Sequence, residues 1–188
     1  PRVEIELVAD TSLNLCDQLQ KGFLDIVLQT DLIRHESVRS LELASHPLGW
    51  IVASNSIYNR DYADLAELAQ ERIITYSKNS RPHQDLLALM QTNGVPAPRL
   101  NCVNSVSAIT RLLRDGFGIG VLPPVLVAEE LARGELTLLD IDQRPPNLQV
   151  VVSWRVGVEW VEEIVTLCQQ VLEGYAQKMG EGYVVLNP

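Results

Sequence analysis

The sequence predicts an α/β fold with mostly parallel sheets, arranged as one domain or two small lobes. Strand-like and helix-like segments alternate along the chain, which is the pattern of βα units. Several of the helical segments open on Ser, Thr or Asp and close on Gly. The 188 residues, 46% of them hydrophobic and 21% charged, are enough to bury a core.

Val3, Ile5 and Leu7 alternate with Arg2, Glu4 and Glu6, the period of a half-buried strand. Asp10, Thr11 and Ser12 offer N-caps to a helix carrying Leu15, Cys16 and Leu19, which Gly22 ends. Leu24 to Leu28 reads as a buried strand, and strands follow around Val38–Leu43 and Leu48–Ser54, with a bend at His46-Pro47. A helix at Asp64–Ala69 precedes a strand at Ile73–Tyr76. Ser80 caps a helix with Pro82 in its first turn and Gly94 as its stop.

Beyond a strand near Leu100–Val103, Ser105 caps the helix Val106–Asp115, whose stripe is Ile109, Leu112 and Leu113. Ile119–Leu122 is a strand, Pro123-Pro124 opens a short helix to Arg133, and Leu136–Leu139 and Val150–Trp154 are strands. Val161, Ile164, Val165, Cys168, Val171 and Leu172 form a wide apolar face on the last helix. Residues beyond it, Met179 to Pro188, read as a loose terminus. Trp50, Trp154 and Trp160 read as core or interface.

Composition excludes several function classes. A net charge of −9 and a pI near 4.8 repel phosphate backbones, and no basic cluster offsets this, so the segment alone should not hold nucleic acid. No stretch is long and apolar enough to span a bilayer, and Pro1 opens directly on PRVEIEL without a signal peptide. Cys16, Cys102 and Cys168 are odd in number and widely spaced, the pattern of buried free thiols in a reducing cytoplasm. His35, His46 and His83 lack metal-ligand spacing. The glycines of GFGIG follow a helix and precede a strand, the wrong order for a dinucleotide loop. No nucleophile elbow, P-loop or zinc-protease motif occurs, so no catalytic residue, metal or cofactor is assigned.

GFLDIVL (Gly22–Leu28) resembles the effector domain of LysR-type transcriptional regulators, where a short helix leads to a G-x-hydrophobic-D-hydrophobic strand. SHPLGWIVAS (Ser45–Ser54), DLAELAQERIITYS (Asp64–Ser77), NGVPAP (Asn93–Pro98) and VNSVSAITRLLRDGFGIGVLP (Val103–Pro123) agree in order and spacing. The last is the most specific, and the five together cover the chain up to its final helix.

The resemblance implies two Rossmann-like lobes joined by two crossover strands, as in type II periplasmic binding proteins, around a cleft for a small molecule. Lobe one would be residues 1–45 plus 150–188, and lobe two 46–149. The resemblance also implies pieces absent from this chain: a winged helix-turn-helix DNA-binding domain, a linker helix, and a first strand and helix of lobe one. The chain is therefore read as part of a longer cytoplasmic protein, a homodimer or homotetramer that meets DNA only through the absent domain and no membrane. Loss of the first strand should leave a gap in the sheet of lobe one. The rival is a solute-binding protein of the same fold that serves a transporter.

Three helices open at loops expected to face the cleft: after Asp10-Thr11-Ser12, after Asn79-Ser80 and after Asn104-Ser105. Free N–H groups and the positive dipole end suit a small anion, a carboxylate above all. Asp10, Ser80 and Ser105 are equally ordinary caps. The resemblance turns Ser12 and Ser80 toward ligand contact, and Thr30 occupies a junction position used by relatives. The candidate effector-binding set is Thr11, Ser12, Thr30, Ser77, Lys78, Asn79, Ser80, Asn104 and Ser105, with Ser12 foremost. Lys78 and Arg81, flanking Ser80, could neutralise an anion or simply be solvated.

Overall fold

The computed structural model describes residues 4–96, 98–180 and 182–187. Along the chain the elements are α1 (Ser12–Lys21), β1 (Ile26–Gln29), β2 (Val38–His46), β3 (Gly49–Ala53), α2 (Leu65–Leu68), β4 (Ile73–Thr75) and α3 (Arg81–Thr92). They continue with β5 (Leu100–Cys102), α4 (Val106–Arg114), β6 (Ile119–Leu122) and a 3-10 turn at Pro124–Val127 that runs into α5 (Ala128–Ala132). The last are β7 (Leu136–Leu138), β8 (Leu148–Arg155), α6 (Glu159–Met179) and β9 (Val185–Leu186). Two sheets result, one ordered β1-β8-β2-β9 and the other β5-β4-β6-β3-β7.

Each sheet is covered on both faces because its strands alternate two apolar sets. In β3, Trp50 and Val52 face a cluster with Leu65, Leu68, Leu86 and Met90 of α2 and α3. Ile51 and Ala53 face the other way, onto Ile109 and Leu113 of α4. In the first sheet, Leu43, Val152 and Trp154 pack on Val161 and Val165 of α6. Val27 and Val38 meet Leu19 of α1 on the opposite face. The chain passes between the halves twice, from β2 through Pro47 into β3 and from β7 back into β8. The Trp50 indole N–H donates to the Gln143 carbonyl at 2.8 Å and ties one passage to the other.

Five expectations are corrected. Residues 4–11 form no strand, and Ile5 and Leu7 are 83% and 91% exposed, so the alternation there finds no sheet to bury it; Val3 lies outside the described residues. No gap opens inside the first sheet, since β1 pairs directly with β8 and stands at its edge. The sheets are not mostly parallel: β4 pairs parallel with β5 and β6, whereas β1, β2, β3, β7, β8 and β9 pair antiparallel. The cause is the double crossing, because β8 returns against β1 and β2 and β3 enters against β6.

The C-terminal segment is docked rather than loose. Gly180 turns the chain at φ 88°, Val184 is buried, and β9 pairs with β2. The three thiols are free as expected, but Cys102 is exposed and Cys16 and Cys168 are half-buried, because β5 is an edge strand and α1 and α6 are surface helices. Trp50 and Trp154 are buried, whereas Trp160 is 47% exposed in the first turn of α6.

Candidate functional site

A cleft of about 880 Å³ opens between the two sheets, walled by the start of α1 and the end of β1 on one side and by the start of α3 on the other. Thr11 stands in extended backbone and its Oγ1 accepts the Asn14 N–H at 3.4 Å, which starts α1. Asp10 leaves the helix but stays beside it, accepting the Thr11 N–H at 2.7 Å and the Asn14 amide at 2.9 Å. Those two bonds, the backbone one first, hold its carboxyl below the usual carboxylate range. Ser12 follows at the first helical position, with its N–H group clear of the cap.

The opposite wall is the loop at 77–80. Ser80 N–H donates to the Ser77 carbonyl at 3.0 Å, closing a turn that puts Asn79 in left-handed backbone at φ 68°. Asn tolerates that conformation better than most residues. The first turn of α3 then grips the loop: the Gln84 amide donates to the Asn79 carbonyl at 3.0 Å, and the Asn79 N–H reaches His83 Nδ1 at 3.4 Å. His83 is buried, and burial first and the Lys78 charge second push its pKa down, so it is the neutral ring that accepts.

Ser80 occupies the N-cap position of α3 yet makes no capping bond, and its buried Oγ has no partner among the described residues. A helix that starts with an uncapped, orphaned hydroxyl leaves a donor and free N–H groups for something else. The buried Tyr76 hydroxyl, whose pKa burial raises, is likewise without a partner and belongs to the lining.

Of the candidate residues, Thr11, Ser12, Thr30, Ser77, Lys78, Asn79, Ser80 and Asn104 all line this cleft. Ser105 does not: its Oγ accepts the Ala108 N–H at 3.4 Å and pairs with the Ser107 hydroxyl at 2.8 Å, so it caps α4. The sequence reading missed Tyr76, Gln29, Asp31 and Arg34, which join the lining, and Arg81 stood only as a flanking charge. Gln29 alone carried a signal, a buried amide in a strand of apolar neighbours. The lining carries Arg34, Lys78 and Arg81 against Asp10 and Asp31. Among the described residues no cluster of His, Cys, Asp and Glu could hold a metal, and no helix is long and apolar enough to cross a membrane.

Two α/β halves joined by two passages, with a cleft between them whose apolar walls carry a few polar and charged groups, define a ligand-binding domain of the type II periplasmic-binding kind. The chain belongs to the LysR substrate binding domain family, whose model matches residues 1–173. It is 26% identical over 157 residues to the HTH-type transcriptional regulator CbbR of Rhodospirillum rubrum, covering 84% of this chain and 52% of that protein. TtuA of Agrobacterium vitis, also an HTH-type transcriptional regulator, is 29% identical over 128 residues, covering 65% and 42%. The chain thus spans about half the length of these relatives.

The fold is shared with the CcmR regulatory domain of Synechocystis PCC6803 in complex with 2-PG, at a TM-score of 0.74, 21% identity and coverage of 89% and 83%. It is shared too with the apo regulatory domain of HypT from Salmonella typhimurium, at 0.72, 20%, 89% and 81%. The effector binding domain of QuiR in complex with shikimate matches at 0.64, 19%, 79% and 70%.

Proposed function

We propose that the chain is the effector-sensing part of a cytoplasmic LysR-type regulator, that a small anionic molecule seats in the cleft, and that this domain performs no chemistry. The observation that carries the reading is the pair of helix starts, α1 and α3, that face one cleft from different halves, the second with its N-cap hydroxyl unused. Lobe one comprises residues 1–45 and 150–188 and lobe two 46–149, a division supported by the membership of the two sheets. The contacts are Thr11, Ser12 and Thr30 from the first lobe and Ser77, Lys78, Asn79, Ser80 and Asn104 from the second; Ser105 is left out as a cap.

A ligand touching both walls binds one lobe arrangement better than another, and only that difference can move the protein. In the whole regulator, a homodimer or homotetramer, the shift is passed to the DNA-binding domain. The family match supports this reading over a transport receptor.

Titration calorimetry with a panel of small carboxylates and phosphates, opening with 2-PG and shikimate, tests it. An acid that binds the domain should bind Ser12→Ala at least fivefold more weakly, with the melting temperature nearly unchanged. A binding constant indifferent to Ser12 and Ser80 would remove the cleft from consideration.

A further inference from the structure

We infer that Asp31 sets the charge class of the effector: its carboxylate stands in the cleft as an internal counter-ion to Arg81, which selects single-charged acids with a hydroxylated body over diacids. The inference rests on the cleft being the effector site.

Asp31, just past β1, meets Arg81 Nη1 at 3.3 Å across the cleft, whereas every other ion pair of the described residues stays within one half. Stability does not account for it. Arg81 already holds both Asp85 oxygens through Nε at 2.9 and 3.0 Å, and the Asp31–Arg81 side chains are 49% and 53% exposed, where such pairs contribute little.

Asp31 is nonetheless held in place from its own side. The Gln29 side chain, only 8% exposed, donates to the Asp31 carbonyl at 2.7 Å, and Thr30 Oγ1 donates to Asp31 Oδ2 at 3.3 Å. A buried amide spent on fixing one exposed acid at a cleft mouth points to a role for that acid in the cleft.

The consequence is electrostatic. With Asp85 on Arg81, the cleft charges of Arg34, Lys78 and Arg81 are balanced by Asp10, Asp31 and Asp85. One ligand carboxylate can sit on the helix N–H groups near Lys78, where no net repulsion opposes it. A second carboxylate directed at Arg81 has to displace Asp31 or lie beside it. Among apolar walls such as Leu13, Leu32 and Ile33, the side chains of Thr11, Ser12, Gln20, Gln84 and Asn104 offer uncharged hydrogen-bonding groups that suit the hydroxyls of a small carbon skeleton.

The test is titration of wild type and Asp31→Asn with two monoacids, glycolate and shikimate, and two diacids, malonate and succinate, at low and high salt. Asp31→Asn keeps the shape and removes the charge. For half-exposed charges about 4 Å apart the preference for diacid over monoacid should rise about tenfold, and the gain should shrink at high salt. Asp31→Asn should melt within about 2 °C of wild type. An unchanged preference, or a melting temperature that falls well beyond that margin, overturns the inference. If none of the four acids binds either protein while Ser12→Ala and Ser80→Ala are equally silent, the cleft reading itself has failed and the inference falls with it.

Discussion

Gly118→Ala should destabilise the second half of the molecule more than a substitution at a left-handed glycine does. Gly118 immediately precedes β6, the central strand of the five-stranded sheet. A Cβ built there collides with the Arg72 carbonyl oxygen and lies 3.3 Å from its carbonyl carbon. That oxygen accepts the Ile119 N–H at 2.9 Å, so it cannot retreat without loosening the junction of β4 and β6. Overpacking of this kind costs about 1–3 kcal/mol, and a weakened backbone hydrogen bond adds about 1 kcal/mol. The sum, about 2–4 kcal/mol, lowers the melting temperature of a chain this long by about 5–15 °C. Gly134 is the control: its φ is +68° but a Cβ meets nothing within 4 Å, so alanine there bears only the left-handed cost of about 1 kcal/mol. Urea unfolding followed by circular dichroism and by the intrinsic fluorescence of the three tryptophans measures both. Gly118→Ala within roughly 0.5 kcal/mol of wild type, or milder than Gly134→Ala, would refute the reasoning.

Two serines at helix starts should separate cleanly. Ser105→Ala loses a cap bond and about 1 kcal/mol while leaving cleft ligands unaffected. Ser80→Ala loses no cap bond, so stability should hold while ligand affinity drops; equal melting losses in both variants would contradict this. His83 gives a pH test. Its folded pKa lies below 6.5, so between the two values the unfolded chain holds the extra proton and stability rises with pH. The contribution is complete above pH 6.5 and is lost as acidification passes through the folded value. Urea midpoints from pH 7.5 to 5 should slope less in His83→Gln, and identical slopes would show that His83 contributes nothing.

Much of the fold was legible because local signals matched the packing they serve. Leu19, Ile109 and Leu113 sit at helical spacing and are the residues the helices bury. Thr11, Asp64 and Ser105 cap where a hydroxyl or carboxylate precedes an apolar stripe. Strand direction was not legible, since Val38–His46 and Leu148–Arg155 look alike whichever way their neighbours run. Residues 4–11 carry a strand period with no partner, and periodicity cannot reveal whether a partner exists. In the cleft, hydroxyls and amides beside helix starts could be named in advance. Asp31 and Arg81 are 50 positions apart, and nothing local announces that two turns will face each other.

The docking of the C-terminal strand has a mechanical consequence. Two passages of chain join the halves, and a joint of two strands offers little resistance to bending. Here residues 183–187 lie along the end of β2 that feeds the first passage: the His46 ring donates from Nδ1 to the Tyr183 carbonyl at 3.0 Å, and the Asn187 N–H donates to the Leu43 carbonyl at 3.2 Å. The C-terminal strand therefore clamps the end of β2 where it enters the first passage, and its pairing stays within the first half. A reporter attached beyond Asn187 would sense fraying of the edge of the first sheet, and a bulky fusion there would load the end of β2 even though it lies outside the cleft.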